Sequence, residues 1–123
     1  MDAAKTILRQ SGIESIDELA PNERRTAVVV GQGDLVIEKV GPARLSVSHH
    51  SVRGTRRVRD PEVVFRIEGG AWIPIECTRW PSVHRYDATG IGMKAFLRRW
   101  NERLDENGFT DTKTATYRAS DSP

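Results

Sequence analysis

Three histidines, His49, His50 and His84, and the acids near them in the chain are the residues whose possible chemistry is easiest to name. A metal site needs compatible ligands that converge, and Asp60, Glu62, Cys77 and Asp87 are the candidate partners. Neighbouring residues on a regular strand point to opposite faces, so His49 and His50 cannot readily share one ion. No paired-cysteine or zinc-helix spacing is present. Neither a metal nor any other cofactor is expected. Ser48, His50, Asp60 and Glu62 come closest to an acid–base constellation. They define one alternative, a small hydrolase or metal-dependent enzyme using His49 or His50 with Asp60 or Glu62. No nucleophile-elbow sequence accompanies them, and serine is common on solvated strands, so binding ranks above catalysis.

Charge gives the sharper signal. The formal net charge is only +2, but it is unevenly spread. Residues 1–23 carry two basic and five acidic side chains, whereas residues 44–59 carry Arg44, Arg53, Arg56, Arg57 and Arg59 with no acid. Between Arg79 and Arg103 six basic groups face only Asp87 and Glu102. Fifteen of the nineteen basic residues are arginine, whose planar fork suits phosphate and carboxylate. Arg53, Arg56, Arg57 and Arg59 therefore suggest a clamp on a nucleic-acid backbone, joined by Arg44, Arg98, Arg99 and Arg103 if the fold gathers them. The competing reading is a solvated loop paired with the acidic N-terminal region. Gly31-x-Gly33 and Gly90-x-Gly92 are fragments of phosphate-loop patterns and read better as turns.

The elements that must position these groups centre on Val63–Cys77. Val63, Phe65 and Ile67 alternate with polar neighbours, as do Ile73, Ile75 and Cys77 beyond Gly69-Gly70, which predicts a β-hairpin. A three-residue loop, Gly69 to Ala71, pairs Ile67 with Ile73, Phe65 with Ile75 and Val63 with Cys77, which keeps all six apolar side chains on one face. In that register Trp72 lies on the polar face with Arg66 and Glu76, the best candidate for an exposed protein-interaction anchor. Pro74 requires an edge or a bulge there.

Before the hairpin, the sequence predicts a helix over Asp2–Gln10, a capped turn from Ser15 and Glu18, and strand candidates at 26–30, 35–40 and 44–50. Residues 51–59 read as an exposed loop or a frayed strand extension. After the hairpin come a short strand within 82–87 and a helix whose buried stripe is Met93, Phe96, Leu97, Trp100 and Leu104, stopped by Asn107-Gly108. The fold class is α+β: a mainly antiparallel sheet of four to six strands, short N-terminal helices, and a long C-terminal helix packed on the sheet. Residues 1–109 form a single domain, and 110–123 a polar, flexible tail.

No stretch approaches the roughly 20 apolar residues of a bilayer span, and no apolar block follows Lys5 and Arg9 as in a signal peptide. A cytoplasmic protein without a membrane partner is expected. The lone Cys77 reads as a small core residue.

Leu35-Val-Ile-Glu38, Leu45-Ser-Val-Ser-His49 and Arg59-Asp-Pro-Glu-Val-Val-Phe65, followed by Trp72-Ile-Pro74 and Phe96–Leu104, resemble an uncharacterised family of small bacterial proteins linked to phages and plasmids. The resemblance covers residues 35–108. It implies an accessory role on a mobile element, modulating a host or phage protein, and it carries no established activity. This chain departs from it at His50, where an aromatic residue is usual, and in its arginine-rich loop. The combined expectation is a non-enzymatic protein that binds a macromolecule, either a nucleic-acid backbone or a host or phage protein.

Overall fold

Strand alternation dominates the chain, and seven strands result. The structure, a computed structural model, describes residues 1–121. It comprises α1 (Asp2–Gln10), a 3-10 turn at Ile16–Glu18, β1 (Glu23–Val28), β2 (Asp34–Gly41), β3 (Arg44–Arg53), β4 (Arg56–Glu68), β5 (Ala71–Arg79), β6 (Val83–Tyr86), α2 (Lys94–Glu106) and β7 (Thr116–Asp121). All strands join one antiparallel sheet in the order β6-β5-β4-β3-β2-β1-β7. Six strands follow one another as a meander. The seventh returns after α2 to the far edge and pairs with β1.

Both helices pack on one face. Ala3, Ala4, Ile7 and Leu8 of α1 and Trp100 and Leu104 of α2 share a core with Leu35, Ile37, Leu45, Val47, Val63, Phe65 and Cys77, the inward set of alternate strand residues. The Ala3 amide donates to Asn101 Oδ1 at 2.9 Å and ties the two helices together. Ser15 and Glu18 form the anticipated capping box. Gly108, at φ +89, lets the chain turn out of α2 while the Phe109 amide reaches the Leu104 carbonyl.

Three expectations are corrected. The sheet has seven strands, not four to six, and α2 spans 13 residues and is followed by a strand. The missed strand is β7, inside the segment 110–123 read as a polar tail. It is a sheet edge whose residues are largely exposed, so it needs little apolar alternation; among the described residues of the strand only Tyr117 packs on the core, next to Ala115 just before it. Residues 122–123 of that tail lie outside the described residues.

The third correction concerns the central hairpin. Its loop is the two-residue Gly69-Gly70, so Glu68 pairs with Ala71 and Ile67 with Trp72. A register shift between Val64 and Phe65 then leaves Ile75 as an extra residue, and Val63 still meets Cys77. A bulge absorbs the slip that the strict alternation argument assigned to the loop. It sits next to Pro74, where a ladder donor is missing.

Candidate arginine ribbon and the cleft at its root

β3 and β4 outrun their neighbours. β2 last pairs with β3 at Asp34–His50, and β5 last pairs with β4 at Glu62–Thr78. Beyond these points Ser51–Val58, Val52–Arg57 and Arg53–Arg56 pair only with each other, closed by Gly54-Thr55. A two-stranded ribbon about 10 Å long extends past the strand ladder. Residues 51–59 are therefore an ordered extension of the sheet.

Directly opposed residues share a face. Arg53 and Arg56 lie on the helix-covered side, and Arg57 lies on the open side with Val52, followed by the pair His50–Arg59. Arg53 Nη2 meets Asp60 Oδ2 at 3.3 Å, and Arg59 Nη1 meets Glu62 Oε2 at 3.4 Å. The internal partners of these arginines are thus acids of β4, not of the N-terminal region. Arg56 and Arg57 are exposed and have no ion pair among the described residues.

The other basic candidates are dispersed. Arg44 stands at the opposite end of β3, nine residues or about 30 Å from Arg53, and does not join the group. Arg98, Arg99 and Arg103 are exposed on α2, and Arg103 shares a cleft with Arg53.

Asp60 organises that cleft. It is a buried acid at a register shift between β3 and β4. Its Oδ1 accepts from Arg79 Nε at 2.9 Å and from the Trp80 amide at 3.2 Å, while Oδ2 takes Arg53. Burial alone would raise its pKa, but the hydrogen bonds from Arg79, Trp80 and Arg53 prevail and hold the carboxyl below its ordinary value. The Arg53 guanidinium also lies 5.9 Å from the Trp80 ring centre, and that of Arg79 lies 5.0 Å from the Phe96 ring centre.

The acid–base candidates are split by the sheet. His49 faces the core, edge-on to Phe109 at 5.8 Å, and its Nε2 bonds the Gln32 carbonyl. His50 is on the open face, where its Nε2 lies 3.0 Å from Ser48 Oγ. Burial, reinforced by the positive charge of Arg59, lowers the His50 pKa and favours the neutral ring. Ser48 is 1% exposed, Glu62 accepts from Ser46 Oγ at 2.9 Å, and Asp60 is engaged on the opposite side. His84 bonds Glu76 at the β6 edge. Among the described residues no three His, Cys, Asp or Glu side chains converge as a metal site.

Trp72 does not take the exposed position expected of it from sequence. The two-residue turn puts Trp72 opposite Ile67 on the core side, where it packs edge-on to Phe65 at 5.4 Å. It is half-buried and does not stand on the face of Arg66 and Glu76. Trp80 is 42% exposed beside the ribbon root. Sequence reasoning missed it because its neighbour Asp60 is twenty residues away. Pro81 and the end of the hairpin were the only local sign that the chain leaves the sheet there.

No family model matches the chain, and no curated protein or solved structure matches it at a significant level.

Proposed function

We propose that the protein is a non-enzymatic accessory factor that binds a nucleic-acid backbone through the β3–β4 ribbon. The observation that carries this reading is the isolated ribbon whose tip presents Arg56 and Arg57, exposed on opposite faces and without an acidic partner among the described residues. A two-stranded ribbon fits the major groove, which is about 12 Å wide and walled by phosphates on both sides. Arginines on both faces can therefore meet both backbones. Such contacts supply affinity and register but little sequence information. Trp80, with Arg53 above its ring, adds an aromatic surface on which an unpaired base can stack.

Fluorescence anisotropy with labelled duplex and single-stranded DNA and RNA, over a salt series, tests this. Non-specific binding in the range of about 1–100 μM is expected, weakening steeply with salt. The variant R56A/R57A should stay folded and reduce the slope of log K against log salt by about 1–2. Binding absent at low salt, or unchanged in R56A/R57A, overturns the proposal.

A second reading, a host or phage protein as partner, draws on the β6 edge. Val83 and Tyr86 are exposed there, on a short strand with one free side. Capture of a partner that is lost on V83K/Y86K, with no nucleic-acid affinity, would favour it.

A further inference from the structure

The cleft at the ribbon root has a volume of about 210 Å³, room for a group of several heavy atoms. It lies on the helix-covered side, and its polar walls include His49, Ser51, Arg53, Asp60, Arg79 and Arg103; His49 is already bonded to the Gln32 carbonyl. Three guanidiniums there face one carboxylate. Asp60 engages one nitrogen of Arg79 and one of Arg53, and each arginine has five N–H donors, so most of them remain available. Arg103 has no acidic partner among the described residues.

Ser51 Oγ is buried without a hydrogen-bond partner. Folded proteins rarely leave such a hydroxyl unpaired. The α2 C-terminus nearby contributes negative partial charge, but the Arg103, Leu104 and Asp105 carbonyls already accept from the Asn107, Phe109 and Gly108 amides. The three arginines dominate the field.

We propose that this cleft is a binding site for a phosphate monoester dianion, gripped by Arg53, Arg79 and Arg103 and by the Ser51 hydroxyl. Asp60 acts as the positioning residue that holds two of the forks. A planar guanidinium pairs two N–H groups with two phosphate oxygens, and the hydroxyl donates to a third. The site stands on the cleft alone. Only the identification of the phosphate as a nucleic-acid terminus rests on the ribbon reading above.

The test is an NMR titration of the intact protein with inorganic phosphate at constant ionic strength, following arginine Nε–Hε and backbone amide signals. Shifts at Arg53, Arg79, Arg103 and Ser51 should saturate below about 20 mM. Arg103→Gln, an exposed change that breaks no internal bond, should weaken the affinity at least tenfold, while Arg44→Gln at the far end of β3 should leave it unchanged. Shifts spread evenly over the exposed arginines without saturation, or an affinity indifferent to Arg103→Gln, would overturn the site. A second arm compares 5′-phosphorylated with 5′-hydroxyl oligonucleotides. A preference of tenfold or more that disappears in Arg103→Gln assigns the phosphate to a nucleic-acid end. Equal binding of the two, with the phosphate titration intact, assigns it to a small phosphate compound. Failure of both oligonucleotides to bind, with phosphate still saturating, removes the ribbon reading and leaves the cleft standing.

Discussion

Replacing Asp60 by asparagine keeps the shape of the side chain and removes its charge. The native carboxylate accepts three hydrogen bonds, two at 2.9 and 3.2 Å and a longer one at 3.3 Å. A bond to a buried charge is worth about 1.5–3 kcal/mol when well formed. Arg53 and Arg79 are 44% and 41% exposed at the side chain, so solvent screening discounts their share. The Arg79 and Trp80 contacts then contribute about 1 kcal/mol each and the Arg53 contact a few tenths. Asp60→Asn is expected to cost about 2–3 kcal/mol at pH 7, a fall in Tm of roughly 6–12 °C for a domain of this size. The sign with pH follows from a carboxyl whose folded pKa is depressed. The wild-type advantage is complete above the unfolded value near 3.9 and disappears as pH falls through the lower folded value. Urea denaturation of both proteins from pH 7 to pH 2 measures it. A difference below about 0.5 kcal/mol at pH 7, within the range of an ordinary surface change, would refute the bond arithmetic. So would a difference that does not shrink in acid.

Two smaller perturbations test the frame around the site. The β2–β3 turn places Ala43 at φ +54 after Pro42, where such a turn favours glycine; Ala43→Gly should stabilise the fold by about 0.5 kcal/mol, the relief of strain exceeding the added freedom of the unfolded chain, and a lower urea midpoint would contradict this. Burial raises the Cys77 pKa despite the nearby charges of Arg79 and Arg85. Its alkylation by iodoacetamide at pH 8 should therefore be at least about tenfold slower in the native protein than in urea, and equal rates would place the thiol outside the core.

The sequence made the core legible wherever one face of an element was consistently apolar. Val63, Phe65 and Cys77 lie on the core face, as their alternation required, and Trp100 and Leu104 bury the α2 stripe. It failed where burial is not periodic. A bulge at Ile75 lets a two-residue turn and the Val63–Cys77 pair coexist, and alternation cannot register an extra residue, so Trp72 was placed on the wrong face. β7 was missed because an edge strand satisfies its ladder on one side while its side chains remain in water.

The arginine run was visible, but its division between two faces depends on the β3–β4 pairing. The cleft was not visible at all. Its walls come from β3, β4, β5 and α2, and no sequence window spans Ser51 and Arg103.

The pairing of β7 with β1 has a consequence for how the molecule assembles. Each strand from β2 to β6 meets its predecessor across a short connection, so the meander can zip up through local steps. Arg24 and Ser120, paired in the finished sheet, close a chain segment of more than ninety residues. That contact carries a large closure entropy and little apolar reward of its own. A pairing so non-local is expected to follow the local zipping of the meander. Until then β1 is an uncapped edge able to pair with another chain. In the finished sheet β7 covers that edge, so the pairing that costs the chain most in closure is also the one that removes an exposed ladder from β1.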